Sequence, residues 1–438
     1  MKSFFFRTLG CKVNQYETEA MEELFLNRGY RKADREEEAD VYIINTCTVT
    51  GASDAKSRQQ INRIKSKNPK ALVAVVGCYA QVAPEAVSKL DKVDLILGTK
   101  GRANIVDLVE EAARSKELLV EVSDLDQDRT FDELTISSEH SMTRAYIKIQ
   151  EGCDMFCSYC IIPYARGHIA SRDLDAVIKE TRRLVQTGFK EFILTGIHVA
   201  SYGKDLGGSP DLLDLVEAVA AVEGVQRIRL SSMEPRWITE DRLARLSRIP
   251  AFCDHFHLSL QSGSDHILKL MNRKYDRQLY LDKVRLIRSF FPDAGITTDI
   301  IVGFPGEEEV HFQETLDFVE EVGFSRIHVF PYSPRQGTPA ASFAGAVSPE
   351  VKKHRATALG RIEEELRYRF LDSHIGKSEE VLFEEGDDQE EWMYGYTKNY
   401  IRVQAARDDQ RINQLCQVSF VRREADTLLV EQGEGEEE

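Results

Sequence analysis

The sequence predicts an α/β protein built from three parts: an N-terminal parallel α/β domain, a central partial β/α barrel and a small C-terminal OB-like β-barrel. Two series of short β-rich runs alternating with helical patterns predict the first two parts. A β-rich segment after the last long amphipathic helix predicts the third. With 438 residues, the chain is long enough for two or three domains, each with its own core.

The first predicted domain spans residues 1–114. Its β-rich runs are FFFRTLGC, VYIINTC, ALVAVVGC and VDLILGT, and its helical segments include TEAMEELFLNRGY and KSRQQINRIKSKN. This alternation is typical of a mainly parallel sheet. Residues 115–140 are polar and acidic, with a possible strand ELLVEV inside them, and we expect them to be a solvated linker.

The second predicted domain, residues 141–372, contains six strand candidates: RAYIKIQ, EFILTGIHV, RIRLSS, HFHLSLQS, ITTDIIVGF and RIHVFPYS. Helical stretches separate them, which favours a partly closed β/α barrel with its active site at the C-terminal ends of the strands. Residues 373–432 should form the small β-barrel. Residues 433–438 should form an acidic, solvated tail.

Composition excludes several classes of protein. The hydrophobic fraction of 42% and the charged fraction of 30% are ordinary for a globular chain. No run approaches about twenty apolar residues and the start does not resemble a signal peptide, so we expect a cytoplasmic protein without a membrane partner. The net charge of -16 argues against a broadly basic nucleic-acid surface, so an RNA substrate requires a local basic patch.

Three cysteines, Cys153, Cys157 and Cys160, lie in the segment EGCDMFCSYC. They are close enough for one loop to hold a 4Fe-4S cluster through three thiolates. Three ligands leave one iron open, as chelation of S-adenosylmethionine requires, whereas an electron-transfer cluster normally has four protein ligands. A zinc site, or a ferredoxin-type cluster completed by a distant residue, is the alternative.

A second set of cysteines is dispersed. Cys11, Cys47 and Cys78 each close a strand-like run of the first domain, in TLGC, INTC and VVGC. The C-terminal ends of neighbouring parallel strands meet at one edge of a sheet, so the three thiols should converge. The alternative is that each is a small buried apolar residue, which is how we interpret the isolated Cys253 and Cys416.

The CxxxCxxC spacing resembles that of the radical-SAM superfamily, whose members cleave S-adenosylmethionine reductively to a 5'-deoxyadenosyl radical. The sequence differs from that superfamily in one respect. TGIHVASYG replaces the glycine-glycine-glutamate motif often found after the second barrel strand. Backbone groups of Thr195 and Gly196 can still contact the cofactor there.

The three parts together resemble the methylthiotransferase family over essentially the whole chain. The motifs that carry the resemblance are TLGCKVNQYETEAM, INTCTVT, GCYAQ, IQEGCDMFCSYCIIPYARG, SLQSGSD and TDIIVGFPGE. In that family the last module is a TRAM domain that binds RNA. The opening motif is especially similar to the branch that modifies N(6)-threonylcarbamoyladenosine at position 37 of tRNA.

The resemblance implies an enzyme that transfers a methylthio group to carbon 2 of that nucleoside. It implies that Cys11, Cys47 and Cys78 hold an auxiliary 4Fe-4S cluster whose open iron binds the sulfur to be transferred. One S-adenosylmethionine would methylate this sulfur, and a second would be cleaved at the cluster of Cys153, Cys157 and Cys160. A radical is needed because no side-chain base can remove the unactivated hydrogen at carbon 2.

The resemblance also suggests cofactor contacts at the strand ends. They are Gly303, Phe304 and Pro305 of GFPGE beside the adenine, Ser232 and Glu234 of SSMEP, Gln261 of SLQSG, and Arg166 of PYARG. For Ser232, Glu234 and Gln261 the alternative is loop capping or a structural hydrogen bond. Arg166 can meet a cofactor carboxylate or an RNA phosphate, or else form a structural ion pair.

The expected RNA partner is the anticodon stem-loop. The helix from Lys56 to Lys70, with Lys56, Arg58, Arg63, Lys65 and Lys67, is one candidate surface, and its alternative is a solvated helix face. In the last module Trp392, Tyr394, Tyr396 and Tyr400, with Lys398 and Arg402, offer stacking near positive charge, although aromatics also suit strands. We further expect a monomer, a flavodoxin-like external electron donor and a separate sulfur donor.

Other functions remain open on the sequence alone. Within the family, the substrate can be isopentenyladenosine in tRNA or an aspartate of a ribosomal protein. From another class, the chain can be a non-catalytic iron-sulfur RNA-binding protein. Sulfur insertion into a lipoyl-type carrier is a third possibility, and the β-rich C-terminal module argues against it.

Overall fold

A computed structural model describes residues 2–90, 93–136, 143–384 and 391–432. The chain forms an N-terminal parallel sheet, a curled central sheet surrounded by helices, and a C-terminal closed barrel, which confirms the predicted fold class. The predicted acidic tail, 433–438, and residues 137–140 of the predicted linker lie outside the described residues. None of the described helices combines the length and the apolar character needed to cross a membrane.

The N-terminal sheet is entirely parallel, with the strand order β2-β1-β3-β4-β5-β6. Its strands are β1 (Ser3–Thr8), β2 (Arg31–Lys32), β3 (Val41–Thr46), β4 (Leu72–Gly77), β5 (Leu95–Leu97) and β6 (Leu119–Glu121). The helices that cover it are α1 (Lys12–Asn27), α2 (Gly51–Lys67), α3 (Cys78–Val82), α4 (Pro84–Ser88) and α5 (Ile105–Ser115). The strands β3, β4 and β5 are buried on both faces, as their continuous apolar sequences require.

The segment predicted as a linker is solvated only in part: Asp124, Asp126 and Glu133 are exposed, whereas other residues are packed. The strand β6 pairs with β5, so the sheet continues to Glu121. Further along, the Asp132 carboxylate accepts a 2.9 Å hydrogen bond from the fully buried Arg102. Leu134 and Ile136 pack against Tyr16 of α1. The acidic composition of this segment therefore serves in part to neutralise a buried cation.

The central sheet contains all six predicted strands, and its order follows the chain. The strands are β7 (Arg144–Glu151), β8 (Ala170–Ser171), β9 (Glu191–Gly196), β10 (Arg227–Leu230), β11 (His255–His257), β12 (Gly295–Val302) and β13 (Arg326–Pro331). The orders β10-β9-β7-β8 and β11-β12-β13 are joined by single bridges between Ile228 and Phe252 and between Met233 and Leu258. Only the short antiparallel strand β8 has no counterpart in the sequence prediction.

Helices surround this curled sheet. They are α6 (Ile162–Arg166), α7 (Leu174–Gln186), α8 (Leu212–Ala220), α9 (Glu240–Leu246), α10 (Asp265–Leu270), α11 (Arg277–Phe290), α12 (Glu309–Val322) and α13 (Pro349–Asp372). The helix α7 shows why they form: Asp173 caps its first turn, and Val177, Thr181 and Leu184 bury one face at helical spacing. The largest hydrophobic cluster of the described chain lies between these helices and the strands.

The C-terminal barrel is closed in the order β14-β15-β16-β18-β17. Its strands are β14 (Ser378–Glu384), β15 (Trp392–Thr397), β16 (Arg402–Ala406), β17 (Leu415–Glu424) and β18 (Thr427–Gln432). It contacts the N-terminal ends of the central strands, where Arg229 donates to the Lys398 carbonyl at 2.8 Å and Tyr400 stacks on His255. The barrel therefore closes the lower end of the central sheet and leaves the C-terminal strand ends free.

Short 3-10 helices complete the described structure, at Glu36–Glu38, Arg102–Asn104, Val199–Ser201, Pro235–Trp237, Pro339–Ser342 and Asp409–Arg411.

Candidate functional site

The dispersed cysteines meet at one edge of the N-terminal sheet. Cys11, Cys47 and Cys78 follow β1, β3 and β4, which are neighbours in the sheet. Gly10 permits their approach, because a Cβ atom at Gly10 would lie 2.8 Å from the Cys47 Cβ and the backbone there has a φ of +112°. The predicted convergence of the three strand ends is therefore present.

The three thiols influence one another electrostatically. Burial raises the pKa of Cys78 to about 11, and Cys11 and Cys47 act in the same direction, while Arg166 opposes them. Burial also raises the pKa of Cys47. Cys11 is exposed, so this cysteine set is open to solvent on one side.

Two side chains connect this set to the rest of the site. The Asn14 amide donates to the carbonyls of Leu9 at 2.7 Å and Thr46 at 3.0 Å, which fixes the ends of β1 and β3. The Arg166 guanidinium donates from Nη2 to the Asn14 Oδ1 at 2.6 Å and from Nε to the Cys78 Sγ at 3.2 Å. Arg166 belongs to α6 of the central domain, so it joins the two domains at the cysteines.

Arg166 is part of a fully buried ionic network. Its carboxylate partners are Glu17 of α1 and Glu151 of β7, which also bind Lys148 at 2.9 Å and 2.8 Å. Arg102 is a third cation of this network. Burial alone would raise the pKa of Glu17, but these three cations lower it to about 2. The network holds the N-terminal sheet on the central barrel.

The second cysteine set occupies the loop after β7. The Cys160 N–H donates to the Cys157 carbonyl at 2.9 Å and the Cys153 N–H to the Gly167 carbonyl at 3.0 Å, so the loop folds back on itself. Burial raises the pKa of Cys153 to about 11 and that of Cys160 to about 12, with Cys157 adding to both shifts. Arg273 donates to the Cys157 Sγ at 3.3 Å, as Arg166 does to Cys78.

The two cysteine sets face one another across the domain junction. The helix α6 begins two residues after Cys160 and ends at Arg166, the donor to Cys78. A cavity of about 290 Å³ is lined by Val49 and Thr50, which follow Cys47, and by Cys160. Both cysteine sets thus adjoin the same junction between the two domains.

The two sets of three thiols do not meet the spacing of a single-ion site in the described structure. Among the residues that the structure describes, only His257, Asp299 and His328 have three ligand atoms within 4.8 Å of one another. Thiolates on one zinc ion lie about 3.8 Å apart, since a Zn–S bond is about 2.3 Å. The wider cysteine sets suit a cubane, where each thiolate binds a different iron.

The predicted adenine contacts lie beside the second cysteine set. Gly303, Phe304 and Pro305 are buried at the end of β12, and Phe304 shares a hydrophobic cluster with Tyr159 of the cysteine loop. The Glu307 carboxylate fixes this turn, because it accepts from the Gly303 N–H at 2.6 Å and from Arg355 at 2.8 Å.

The other predicted contacts divide between two places. Gln261 lines the cavity that contains Cys160, whereas Ser232 lines a separate cavity inside the barrel. Thr195 is buried in β9. Glu234 is buried, and its carboxylate accepts a hydrogen bond from the Arg236 Nε atom. The Nη2 atom of the same guanidinium lies 3.9 Å from the Met155 sulfur in the cysteine loop. Their contacts with a cofactor stay predictions.

His198 is a site residue that the sequence did not suggest. It follows Thr195 and Gly196, its N–H donates to Gln150 at 2.7 Å, and its Nε2 atom is buried without a hydrogen-bond partner. Burial, assisted by the positive charges of Lys204 and Arg273, lowers the pKa of His198 to about 4, so the ring is neutral. A neutral imidazole thus occupies the place where the glycine-glycine-glutamate motif was expected.

Arg166, for which the sequence offered a contact with the cofactor or RNA or else a structural ion pair, is bound to protein groups in this structure. It has no exposed surface, and its donors are bound to Glu17, Glu151, Asn14 and Cys78. A guanidinium in this position is a structural ion pair, the alternative left open by the sequence. Its bond to Cys78 adds a role that the sequence did not indicate.

Most cations of the helix predicted to bind RNA have internal partners. Arg63 and Lys67 pair with Glu36, Lys65 pairs with Asp94, and Arg58 donates to Tyr79. Lys56 remains exposed. In the C-terminal barrel, Tyr396, Tyr400 and Lys398 contact the central domain, although Tyr400 is still 36% exposed. Trp392 remains exposed on the surface of the barrel. The Arg402 guanidinium carbon lies over the Tyr394 ring, 4.1 Å from its centroid.

Comparison with known proteins identifies both catalytic parts. Residues 3–98 match the family described as uncharacterized protein family UPF0004, and residues 147–319 match the radical SAM superfamily. A protein of Bacillus subtilis (strain 168), threonylcarbamoyladenosine tRNA methylthiotransferase MtaB, is 41% identical over 425 residues, covering 96% of this chain and 94% of the relative.

The chain belongs to the radical-SAM methylthiotransferase family. A second relative, tRNA-2-methylthio-N(6)-dimethylallyladenosine synthase of Clostridium botulinum (strain Loch Maree / Type A3), is 35% identical over 436 residues and covers 98% of this chain and 96% of its own length. The predicted family and the predicted enzyme class are confirmed. The alternative of a non-catalytic RNA-binding protein does not agree with the enzymatic role of this family.

A solved structure supports the fold. The radical S-adenosylmethionine methyltransferase TsrM from Kitasatospora setae, solved with cobalamin and a 4Fe-4S cluster, matches with a TM-score of 0.57 at 14% identity. The match covers 78% of this chain and 77% of the other. At this identity the likeness concerns the arrangement of sheets and helices alone.

Proposed function

We propose that the protein transfers a methylthio group to carbon 2 of N(6)-threonylcarbamoyladenosine at position 37 of tRNA. Relatives named for this substrate are 39–41% identical, and those named for dimethylallyladenosine are 35% identical. The observation that carries the proposal is that both cysteine sets adjoin one domain junction: the loop after Cys47 and Cys160 line one cavity, and Arg166, six residues after Cys160, donates to Cys78. Two sets suit a reaction that must both activate carbon 2 and deliver sulfur.

Cys153, Cys157 and Cys160 would hold one 4Fe-4S cluster, and Cys11, Cys47 and Cys78 the other. When bound, the clusters and S-adenosylmethionine supply the radical that removes the hydrogen from carbon 2 and the methylated sulfur that replaces it. Three of the thiols, those of Cys78, Cys153 and Cys160, are protonated in the free protein, because burial raises their pKa to about 11 or 12. Loading of the clusters therefore releases protons.

The surrounding side chains orient these groups rather than react. Arg273 and Arg166 each donate one N–H to a cysteine sulfur, which fixes the rotamers of Cys157 and Cys78 and offsets thiolate charge. The neutral His198 presents an unpaired nitrogen beside the predicted contacts at Thr195 and Gly196. We assign His198 to the polar end of S-adenosylmethionine, in place of the missing glutamate.

The mouth of the site is apolar and exposed, as stacking on a loop of RNA requires. Val49, Phe156, Tyr164 and Phe330 are between 42% and 49% exposed, although they are large hydrophobic residues. Phe156 and Tyr164 contact each other edge to face, with ring centroids 5.9 Å apart. Such rings bind unstacked bases. We propose that they receive the nucleotides that flank position 37.

The first experiment is mass spectrometry of nucleosides from the host's tRNA, with and without the gene. We expect the methylthio form of threonylcarbamoyladenosine to disappear without the gene and to return with a plasmid copy. A copy carrying Cys78→Ala should fail to restore it, whereas Cys416→Ala, in the C-terminal barrel, should restore it. Unchanged nucleosides would overturn the substrate assignment and leave the family assignment intact.

The alternative substrates make different predictions in the same experiment. Loss of the methylthio form of isopentenyladenosine, or of a methylthio-aspartate in a ribosomal protein, would redirect the assignment within the family. A chain that only binds RNA would form no 5'-deoxyadenosine on reduction with S-adenosylmethionine. We further propose that the enzyme acts in the cytoplasm as a monomer, with a flavodoxin-like electron donor and a separate sulfur donor.

A further inference from the structure

A second cavity lies inside the central barrel, and the proposed chemistry makes little use of it. Its volume is about 330 Å³, and it is bounded by the strands β10 to β13 and by the C-terminal barrel. Lys12 and Tyr146 form another part of its wall. Lys12 also lines the open cleft beside Cys11, so this cavity adjoins the N-terminal cysteine set.

The wall of the cavity is strongly cationic. Five cations and one carboxylate line it: Lys12, Arg229, Arg326, Arg367, Arg402 and Asp426. The whole chain carries a net charge of -16, so this local excess of positive charge is opposite in sign to the rest of the molecule. A cavity of this kind attracts an anionic group.

Lys12 is the cation best placed to bind such a group. It begins α1 directly after Cys11, and its ammonium lies 4.8 Å from the centroid of the Tyr146 ring. In the described part of the chain it forms no ion pair, and the same holds for Arg326 across the cavity. By contrast, Arg229 is paired with Glu191 at 2.9 Å, and Arg367 with Asp426 at 3.4 Å. An anion can therefore bind Lys12 without displacing a carboxylate.

The remaining wall offers hydrogen bonds to an uncharged polar group. The His255 Nδ1 atom is buried and has no hydrogen-bond partner in the described structure. The His257 Nε2 atom is buried and lies 3.3 Å from the Asp299 carboxylate. The opposite nitrogen of His257 is held by Thr297 at 2.9 Å, which fixes its ring. His257, Asp299 and His328 are close enough to surround a cation, but the positive wall around them disfavours one.

We propose that this cavity binds the threonylcarbamoyl group of the substrate and that Lys12 pairs with its carboxylate. The inference rests on the proposed function. The group hangs from N6 of the adenine, on the same edge of the base as carbon 2, so a base presented to the cysteines would direct the group toward Lys12. The urea or the hydroxyl of the group finds a partner in the unpaired Nδ1 atom of His255.

The polar lining of this cavity also explains discrimination against dimethylallyladenosine. A dimethylallyl group carries neither charge nor hydrogen-bonding atoms, so it would cover Lys12 and His255 without pairing them. Buried polar groups left unpaired strongly disfavour a ligand. Lys12 is thus a specificity-determining residue in this proposal, one position after a proposed cluster ligand.

The test measures binding of anticodon stem-loop RNAs to the full-length, cluster-loaded enzyme at fixed salt. The RNAs carry threonylcarbamoyladenosine, its carboxyl methyl ester, or adenosine at position 37. For the wild type we expect the acid to bind about 10-fold or more tightly than the ester, since one charge-assisted contact is lost. In Lys12→Gln the acid should bind no better than the ester, and Lys12→Arg should restore the preference.

Lys89→Gln is the matched control, because it removes an exposed charge from the same domain and should leave the preference unchanged. Equal binding of acid and ester by the wild type would overturn the proposal, and this arm needs no variant. Equal weakening of all three RNAs by Lys12→Gln, with a shallower salt dependence, would instead identify a phosphate contact and also overturn it. If the wild type does not methylthiolate the acid RNA at all, the proposed function fails, and not only the subsite.

Discussion

Arg102 shows how much of this molecule's stability depends on single buried charges. Its side chain has no exposed surface and binds Glu17, Glu151 and Asp132. Removing one partner of a buried ion pair leaves the others uncompensated, which is far more harmful than loss of a surface pair. Arg102 touches no cysteine sulfur, so its role can be measured separately from cluster binding.

We predict that Arg102→Met lowers the free energy of unfolding by about 3–5 kcal/mol. Arg63→Met is the control, because Arg63 is 44% exposed in its pair with Glu36 and should contribute less than about 1 kcal/mol. Urea denaturation of the metal-free proteins, followed by near-ultraviolet circular dichroism, gives both values. Equal midpoints for the two variants would contradict the proposed strength of the network.

Gly77 is the residue whose lack of a side chain positions Cys78. Its φ is +92°, and a Cβ atom would lie 2.5 Å from the Asn45 Oδ1 and 2.9 Å from the Thr46 carbonyl. Gly29 has a φ of +87° but open space around it, so Gly29→Ala adds only the backbone strain. We predict that Gly77→Ala loses iron from the N-terminal set, whereas Gly29→Ala retains it. Iron content after reconstitution, compared with the Cys78→Ala variant, measures this, and full iron in Gly77→Ala would refute the crowding argument.

Site residues could be predicted where the signal lies within one short segment. Cys153, Cys157 and Cys160 stand within eight positions of the chain, and the spacing alone indicates their chemistry. Arg273 contacts the Cys157 sulfur from 116 positions away, and nothing in its own neighbourhood marks it. Glu17 and Arg166, 149 positions apart, are paired only by the docking of two domains.

At the level of elements, the strand β14 carries an unusual carboxylate. Glu379 lies where the C-terminal barrel meets the central domain, and its side chain is 23% exposed. Burial, together with the negative charges of Asp254 and Asp293 of the central domain, raises the pKa of Glu379 to about 7. The folded state therefore holds this proton more strongly than the unfolded state does.

Stability should fall as the pH rises from about 4.5 to about 7, because the folded state must give up a proton that it binds more tightly. We predict that Glu379→Gln is more stable than the wild type at pH 8, by about 1–2 kcal/mol, and equally stable at pH 4.5. Thermal denaturation at both values measures the effect. Glu365→Gln on the exposed face of α13 should show no such pH dependence. A gain confined to pH 4.5 would reverse the sign and exclude this origin.

The elements themselves were largely predictable, since hydrophobic periodicity is local. The six central strands and the closed barrel follow from short apolar runs and the helical patterns between them. The segment after Ser115 is solvated at most of its acidic residues, but the sequence did not indicate that Asp132 is buried with a cationic partner. Arg102 is buried beneath it, and β6 completes the sheet edge. Composition alone does not distinguish an acidic linker from an acidic segment that neutralises a buried cation.

At the level of the whole molecule, the two cysteine sets belong to different domains, so the proposed reaction depends on how these domains meet. Arg335, after β13, binds Asp54 at 2.7 Å and the Thr48 hydroxyl at 2.5 Å. The Gly51 N–H donates to the Ser333 hydroxyl at 3.1 Å. These contacts hold the loop after Cys47 against the end of the central sheet, on the side of the cavity lined by Cys160.

We predict that Arg335→Gln separates two activities that the wild type couples. Each cysteine set keeps its own ligands and its own arginine donor, so 5'-deoxyadenosine should still form from S-adenosylmethionine. Methylthiolated RNA should fall at least about 10-fold, because a displacement of about 1 Å between reacting groups is enough for a loss of that size or more.

Arg245→Gln removes a comparable pair, with Asp214 and Glu217, inside the central domain, and both products should remain at wild-type levels. The ratio of RNA product to 5'-deoxyadenosine is the measurement. A parallel loss of both products in Arg335→Gln would mean that this contact maintains the central cysteine set itself, and unchanged coupling would mean that the buried network around Arg166 alone aligns the two domains.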